Sequence, residues 1–292
     1  MNMEGGKSYT PVVDSAPENV ADKWMMGRIE ATMAGMEQDF ENYRLNEALK
    51  KIYSLVWDDF CDWYIEVSKA DTPGEPMPAE NLERALGLFE LLMKMLHPFM
   101  PFLTEEIWQR IQLRSPEEAL TISAWPELDS DADEDAIDLF SLIQEQVSAI
   151  RNIQSEMGLS PKADLSLHIK TTSQDQADKL QDQSWIFSKF LSVDSLEFNP
   201  DLTKPKASAS ALVKGTEIFV PLEGLIDLDK ERERIQNEIK KTEGFLKSVE
   251  GKLSNQKFVE NAPDDVVEKE RQKKADAKSD IEKLKQTLEN LG

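Results

Sequence analysis

LDKERERIQNEIKKTEGFLKSVEGKL, residues 228–253, and VEKERQKKADAKSDIEKLKQTLENL, residues 267–291, decide the fold at the C-terminal end of the chain. Leu228, Ile235, Thr242 and Val249 recur every seven residues, interleaved with Arg232, Ile239, Leu246 and Leu253. Val267, Lys274, Ile281 and Leu288 repeat the pattern beside Glu270, Ala277, Leu284 and Leu291. A seven-residue repeat in two phases draws one stripe along each helix, and two such stripes bury each other. Between them lie Asn261 and Pro263, which end one helix and allow another to begin. The expectation is an antiparallel helical hairpin over 226–292, each arm reaching roughly 40 Å at about 1.5 Å per residue. The pattern defines a shape and leaves its use open, since such hairpins serve as spacers, as oligomerisation arms and as binding arms.

Upstream, residues 159–225 change period. Leu165, Leu167 and Ile169 alternate with Ser166, His168 and Lys170, which reads as a half-buried strand. Trp185, Phe187, Phe190 and Leu191 suggest a helix, and 195–198, 209–213 and 217–222 read as short strands. Lys214-Gly215-Thr216 signals a hairpin between the last two. This is a small α+β unit.

Residues 19–158 read as almost wholly helical. Asn19 with Asp22 three residues on suits a helix start, and Val20, Trp24, Met33, Met36 and Phe40 return at helical spacing behind it. A second helix over 46–69 carries Leu49, Ile52, Tyr53, Val56, Trp57, Phe60, Tyr64 and Ile65, a wide apolar face expected to be covered by several neighbours. The breaker run from Asp71 to Pro78 is a loop. A third helix over 79–96 carries Leu82, Leu86, Phe89, Leu92, Met93 and Leu96. Pro98 and Pro101 bracket a turn into a short helix over 104–112. The acidic run Asp129 to Asp138 leads into a fifth helix ending near Met157-Gly158. Residues 1–18 read as a linker.

Charge is unevenly spread. The net value is −22, but residues 226–292 hold 15 Lys and Arg against 16 Asp and Glu, and the remainder 19 against 40. An acidic surface argues against indiscriminate nucleic-acid binding, whose affinity comes largely from phosphate neutralisation, so any RNA contact must use local basic patches. One cysteine permits no intrachain disulfide, and one cysteine with two histidines leaves no zinc-type spacing. No apolar run reaches the ~18 residues of a membrane span and the first ten residues hold no secretory apolar core. A reducing cytoplasm is the expected location, without membrane contact.

Residues for catalysis are not evident. The chain has no phosphate-cradling glycine loop and no nucleophile elbow. Acidic neighbours such as Asp58-Asp59 and Glu105-Glu106 diverge by ~100° around a helix and read as solvated faces. His97, before Pro98, is expected to bond terminal carbonyls, and Cys61, between aromatic residues, to be a core thiol. The chain reads as a binder, with no catalytic residue and no metal site.

Several phrases resemble valyl-tRNA synthetases of the class I group. They are Trp57-Asp58-Asp59-Phe60-Cys61-Asp62-Trp63-Tyr64-Ile65-Glu66 and Leu96-His97-Pro98-Phe99-Met100-Pro101-Phe102-Leu103-Thr104-Glu105-Glu106-Ile107-Trp108. Arg151-Asn152, Glu156-Met157-Gly158 and Pro161 resemble the segment leaving that family's helical bundle. Lys252-Leu253-Ser254-Asn255, Phe258-Val259, Ala262-Pro263 and Val266-Val267-Glu268-Lys269-Glu270-Arg271 resemble its hairpin turn and second arm. The Leu-His-Pro phrase is shared with leucyl relatives, and isoleucyl enzymes have similar bundles; the hairpin, with no C-terminal zinc motif, singles out the valyl branch.

The resemblance implies a mainly α chain: a class I anticodon-binding helical bundle (19–158), a small α+β connector (159–225) and an antiparallel coiled-coil hairpin (226–292). Absence of the HIGH and KMSKS signatures and of an editing domain implies a part that does not activate valine alone. The full-length enzyme, by resemblance monomeric, would use ATP and Mg²⁺ to charge tRNA with valine; this part needs no cofactor. Its partner would be the valine-accepting tRNA, the bundle gripping the anticodon stem-loop and the hairpin lying along the outer corner. Splayed bases are read by stacking and edge hydrogen bonds, which selects Tyr43, Arg44 and Lys50, with Arg151, Asn152 and Lys162 at the bundle's exit. On the hairpin, Arg232, Arg234, Lys240, Lys241, Lys247, Lys273, Lys274 and Lys278 are the expected phosphate contacts. The matching region of a leucyl or isoleucyl enzyme, or a coiled-coil adaptor, is the competing reading.

Overall fold

The computed structural model describes residues 19–72, 74–128, 132–225, 228–255 and 263–290. Phe258, Val259, Asn261, Ala262, Leu291, Asp129 and the linker 1–18 lie outside the described residues, as does the side chain of Leu228.

Chain order is α1 (Val20–Glu41), α2 (Leu45–Ser54), a π-helical segment (Leu55–Tyr64), α3 (Ile65–Ser68), α4 (Ala79–Leu96), α5 (Pro101–Ile111), α6 (Glu134–Glu156), β1 (Leu165–Lys170), α7 (Gln174–Asp182), α8 (Ser184–Phe190), β2 (Val193–Phe198), β3 (Ser208–Val213), β4 (Thr216–Pro221), α9 (Leu228–Ser254) and α10 (Asp264–Asn290). Two compact units divide it. One holds residues 19–144 with Trp185–Phe190, the other Glu145–Ser184 with the residues from Leu191 onward.

In the first unit, Asn19 Oδ1 accepts from the backbone N–H groups of Ala21 (2.9 Å) and Asp22 (3.0 Å), while Asp22 accepts from the Asn19 N–H. This capping box starts α1 where the sequence places it. Trp24, Met33 and Met36 point inward as their spacing requires. Trp24 stacks on Phe140 at 4.4 Å, and Trp63 meets Phe140 edge-on. Gly27 permits the close approach of α1 and α6, since a Cβ there would overlap the Ile137 side chain. Tyr64 donates to Asp22 Oδ1 at 2.7 Å, and burial beside that carboxylate pushes the phenol far above its ordinary value. It stays a neutral donor.

Four readings need correction here. Leu49, Tyr53 and Trp57 are exposed, so the second helix does not bury its whole apolar arc. Its buried positions run Ala48, Ile52, Leu55, then Phe60, Tyr64 and Val67. The five-residue step from Leu55 to Phe60 is the π-helical repeat, which re-aims the buried stripe and leaves a second apolar stripe outside. Cys61 is exposed rather than core, four residues beyond exposed Trp57 on the same outer side. His97 Nδ1 pairs with Thr104 Oγ1 at 2.7 Å, not with a terminal carbonyl. The short helix begins three residues early, at Pro101, because proline's fixed φ and missing N–H cost nothing at a first helical position.

Asp39 sits at the end of α1 with its side chain 2% exposed, between Arg44 (2.9 Å) and Lys51. The Lys51 ammonium first, then Arg44, holds its carboxyl below the ordinary 3.8 against the opposite push of burial. A depressed carboxylate contributes stability above its unfolded value and loses it as pH falls through the folded one. Asp39→Asn should therefore destabilise the chain at neutral pH, with the gap from wild type closing below about pH 4; urea melts at stepped pH read this. A gap that persists at acid pH refutes the linkage.

The second unit is built on a four-stranded sheet in the order β2-β1-β4-β3. β1 pairs in parallel with β2, the crossover passing through α7 and α8, and antiparallel with β4, which also pairs with β3. Leu165, Leu167 and Ile169 are fully buried and their neighbours are not, the alternation expected for β1. Lys214 (φ 45°) and Gly215 (φ 85°) make the two-residue β3–β4 turn, where a left-handed pair matches the strands' twist. Buried Gln146 Nε2 donates to Thr216 Oγ1 at 3.0 Å, tying the later half of α6 to that hairpin. Helix α7 is absent from the sequence reading, because only Ala177 and Leu180 of its nine residues are buried.

The helical hairpin forms as its heptads require. Ile235, Ile239, Val249, Val267, Glu270, Ala277 and Ile281 are buried, and Arg232, Thr242, Leu246, Leu253, Lys274, Leu284 and Leu288 half-buried. Buried Glu270 takes Lys273 at 2.7 Å and, across the seam, Lys252 at 3.6 Å. Glu270 is the buried polar member of a seam that also holds half-buried Arg232, Thr242 and Lys274, and its bond to Lys252 favours this register over shifted ones. α10 also lies against the edge strand β3.

Candidate functional site

The residues singled out on the anticodon side divide between the units. In the first, Tyr43 occupies a left-handed conformation (φ 57°) and projects its ring 92% exposed between α1 and α2. Arg44 is half-exposed on Asp39, and Lys50 pairs with Glu47 at 2.9 Å on an open surface. The Lys50 pair, exposed on both sides, is worth little and exchanges easily for a phosphate. In the second unit, Arg151 and Asn152 are exposed on α6, behind buried Ile153. Lys162 is exposed in the turn before β1, where its N–H donates to Ser160 Oγ at 3.2 Å.

Tyr43 makes a prediction of its own. A side chain at positive φ costs roughly 1–2 kcal/mol relative to the right-handed region, a cost glycine does not incur. Tyr43→Gly should thus hold or raise stability by about 1 kcal/mol while removing the ring. Thermal melts paired with RNA titration separate the two effects; a stability loss would mean the ring packs locally.

Structure adds residues to the site: Leu45, which periodicity did not single out, and Leu49, Tyr53 and Trp57, which it had assigned to a covered face. Leu45, Leu49, Tyr53 and Trp57 follow one another at four-residue steps and are all exposed, with the Tyr53 and Trp57 rings stacked at 6.5 Å and 11°. An α-helix drifts ~40° per four-residue step; the wider π repeat from Leu55 turns that drift back and keeps Trp57 in line with Tyr53. Lys50 borders the stripe, three residues before Tyr53. The sequence signal was an apolar arc too wide for one buried face.

On the hairpin, Arg234 pairs with Glu238 (2.9 Å), Lys273 with Glu270, Lys274 with Glu250 (3.0 Å) and Lys278 with Glu250 (3.8 Å). Arg232 is half-buried in the seam. Lys240, Lys241 and Lys247 are exposed and make no ion pair among the described residues. Among the described residues no three His, Cys, Asp or Glu side chains group as metal ligands, and no helix is long and apolar enough to cross a membrane. The arrangement offers aromatic faces and cations on rigid helices, which is binding chemistry.

Comparison with known proteins bears on what is bound. Residues 22–169 match the family described as anticodon-binding domain of tRNA ligase, and residues 227–292 that described as valyl tRNA synthetase tRNA binding arm. Among curated proteins, the chain is similar to the valine–tRNA ligase of Christiangramia forsetii, 40% identical over 93% of this chain and 30% of that protein. The Bacillus subtilis valine–tRNA ligase is 36% identical over 94% of this chain and 31% of its own length, and the Enterococcus faecalis one 34% over 100% and 33%. The chain spans about a third of the length of the curated relatives it matches. On the extent of the first match, the chain belongs to the family of anticodon-binding domains of tRNA ligases, and it carries the valyl-type tRNA binding arm as its terminal hairpin.

Proposed function

We propose that this chain is the tRNA-recognition part of a valine–tRNA ligase and holds valine-accepting tRNA at two places. The stripe of Tyr43, Tyr53 and Trp57, with Arg44 and Lys50, takes unstacked bases of the anticodon loop; in the second unit, Arg151, Asn152 and Lys162 offer contacts to the tRNA backbone. Aromatic faces hold the splayed bases by stacking, while Arg44 and Lys50 hydrogen-bond base edges and meet the phosphates between them, which is where the triplet is read. The cations of α9 and α10 meet phosphates of the tRNA body without reading sequence. Supporting this most directly, the segment matching a tRNA binding arm folds as a two-helix hairpin and is the part of a −22 chain whose charge is close to balanced. Repulsion of RNA is least there.

In the whole ligase, ATP with Mg²⁺ would activate valine at a site this chain does not itself supply, and the chain's contribution is placement of the tRNA. Its residues position and orient; none is assigned a proton or a bond. Competition binding with purified tRNAs accepting valine, isoleucine and leucine, at one stated salt concentration, tests the reading. Preference for the valine acceptor is the expected result, and equal affinity for all three contradicts it.

A further inference from the structure

The two flanks of the hairpin are built differently. With Ile239 and Lys274 as a positions, each helix has an e flank and a g flank, and antiparallel pairing sets e against e and g against g. The e flank is closed by cross-helix pairs, Glu243 with Lys285 (3.2 Å) and Glu250 with Lys278 (3.8 Å), and Glu250 also takes Lys274. Along the g flank one cross-helix pair, Lys252 with Glu270 (3.6 Å), closes the seam, and between Glu238 and Lys252 the g position is Phe245, half-exposed where such positions ordinarily carry charge. Thr242 and Ala277, both small, leave an open depression beside the ring, rimmed by Arg234, Lys241, Lys273, Glu238, Asp276 and Asp280.

We propose that the g flank is the RNA-facing side of the arm and that Phe245 stacks an unpaired nucleobase of the bound tRNA. This rests on the arm binding tRNA and narrows its cations to those on one side. The rim is what a base, rather than a bare phosphate, needs. An aromatic face offers stacking, the cations meet the flanking phosphates, and carboxylates accept from exocyclic amino groups. Two of the three acids are already engaged, Glu238 by Arg234 (2.9 Å) and Asp276 by Gln272 (2.7 Å), which tempers their repulsion of the backbone. Lys241, with no ion-pair partner among the described residues, is the cation most ready for a phosphate. The e-position lysines Lys278 and Lys285 are held across the seam by Glu250 and Glu243, whereas the rim cations Arg234 and Lys273 pair with carboxylates of their own helices.

The test uses the full chain and valine-accepting tRNA. Phe245→Leu keeps apolar bulk but has no π face, and should weaken binding about tenfold; Phe245→Trp should stay within about twofold of wild type. Glu243→Gln with Lys285→Ala, which removes a closed-flank pair outside the eight named cations, should change affinity less than about twofold. Circular dichroism checks that each variant keeps its helices. Wild-type affinity in Phe245→Leu, a tenfold loss in Phe245→Trp, or an equal loss from the closed-flank pair overturns the proposal. So does sedimentation showing that wild type pairs with itself through this flank and that Phe245→Leu releases it. A full chain with Arg234, Lys240, Lys241 and Lys247 changed to Gln separates the levels. If that variant binds tRNA as tightly as wild type, the arm reading itself fails; if it weakens while Phe245→Leu does not, only the stacking proposal fails.

Discussion

Arg114→Ala should destabilise the first unit by about 3–5 kcal/mol, the cost of breaking a buried ion pair by removing one partner. Arg114 and Glu90 are bonded to each other with side chains only 5% and 9% exposed. The guanidinium also lies 3.7 Å from the Trp108 ring centroid and donates to the Trp108 carbonyl and to Gln112 Oε1 at 3.1 Å. Removing it leaves Glu90 charged in the interior and strips the support from the loop after α5. Lysine cannot replace the planar fork and stack, so Arg114→Lys should recover less than half of the loss. Urea unfolding followed by tryptophan fluorescence reads both. A loss under about 1 kcal/mol for Arg114→Ala would show that water reaches Glu90 and that the pair is a surface one.

Removing residues 226–292 should lower tRNA affinity on the order of 10–100-fold near physiological salt and reduce the salt slope by up to ~0.9 for every phosphate the arm neutralises. The arm carries all eight of the hairpin cations named above. Part of the deletion's effect has a structural origin, because α10 lies against the edge strand β3. The four-Gln variant in the intact chain avoids this, and its slope should fall while its melting temperature stays near wild type. Deletion without change in either affinity or slope would place tRNA binding wholly elsewhere.

The hairpin was the most legible part of the chain. A strict seven-residue repeat has one packing solution, and every described member of both stripes is buried or half-buried. β1 and the Lys214-Gly215 turn were legible for the same reason, alternation and positive φ each having one structural meaning. The second helix was not. Periodicity weighs apolar residues without knowing which neighbours exist, and it assumes the 3.6-residue repeat that the segment from Leu55 to Tyr64 abandons. Within that segment Trp57 and Cys61 are exposed, continuing the outer line of Leu49 and Tyr53 from the regular helix before it. Helix α7 escaped because a polar helix with two inward residues leaves almost no periodic trace. For the site, sequence located exposed cations on helices but not their partners; Arg44 on Asp39 and Lys274 on Glu250 emerge only once the chain is folded. Phe245 was visible as a letter, yet only the asymmetry of the two flanks gives it a meaning.

Recognition of one tRNA through its anticodon can be separated from recognition of its body by transplantation. The valine anticodon is moved into the tRNA for another amino acid, the reciprocal exchange is made, and both are titrated against the full chain at fixed salt. Affinity should follow the anticodon, the tRNA that receives the valine triplet gaining what the donor loses. Affinity that stays with the tRNA body, indifferent to the triplet, would contradict it.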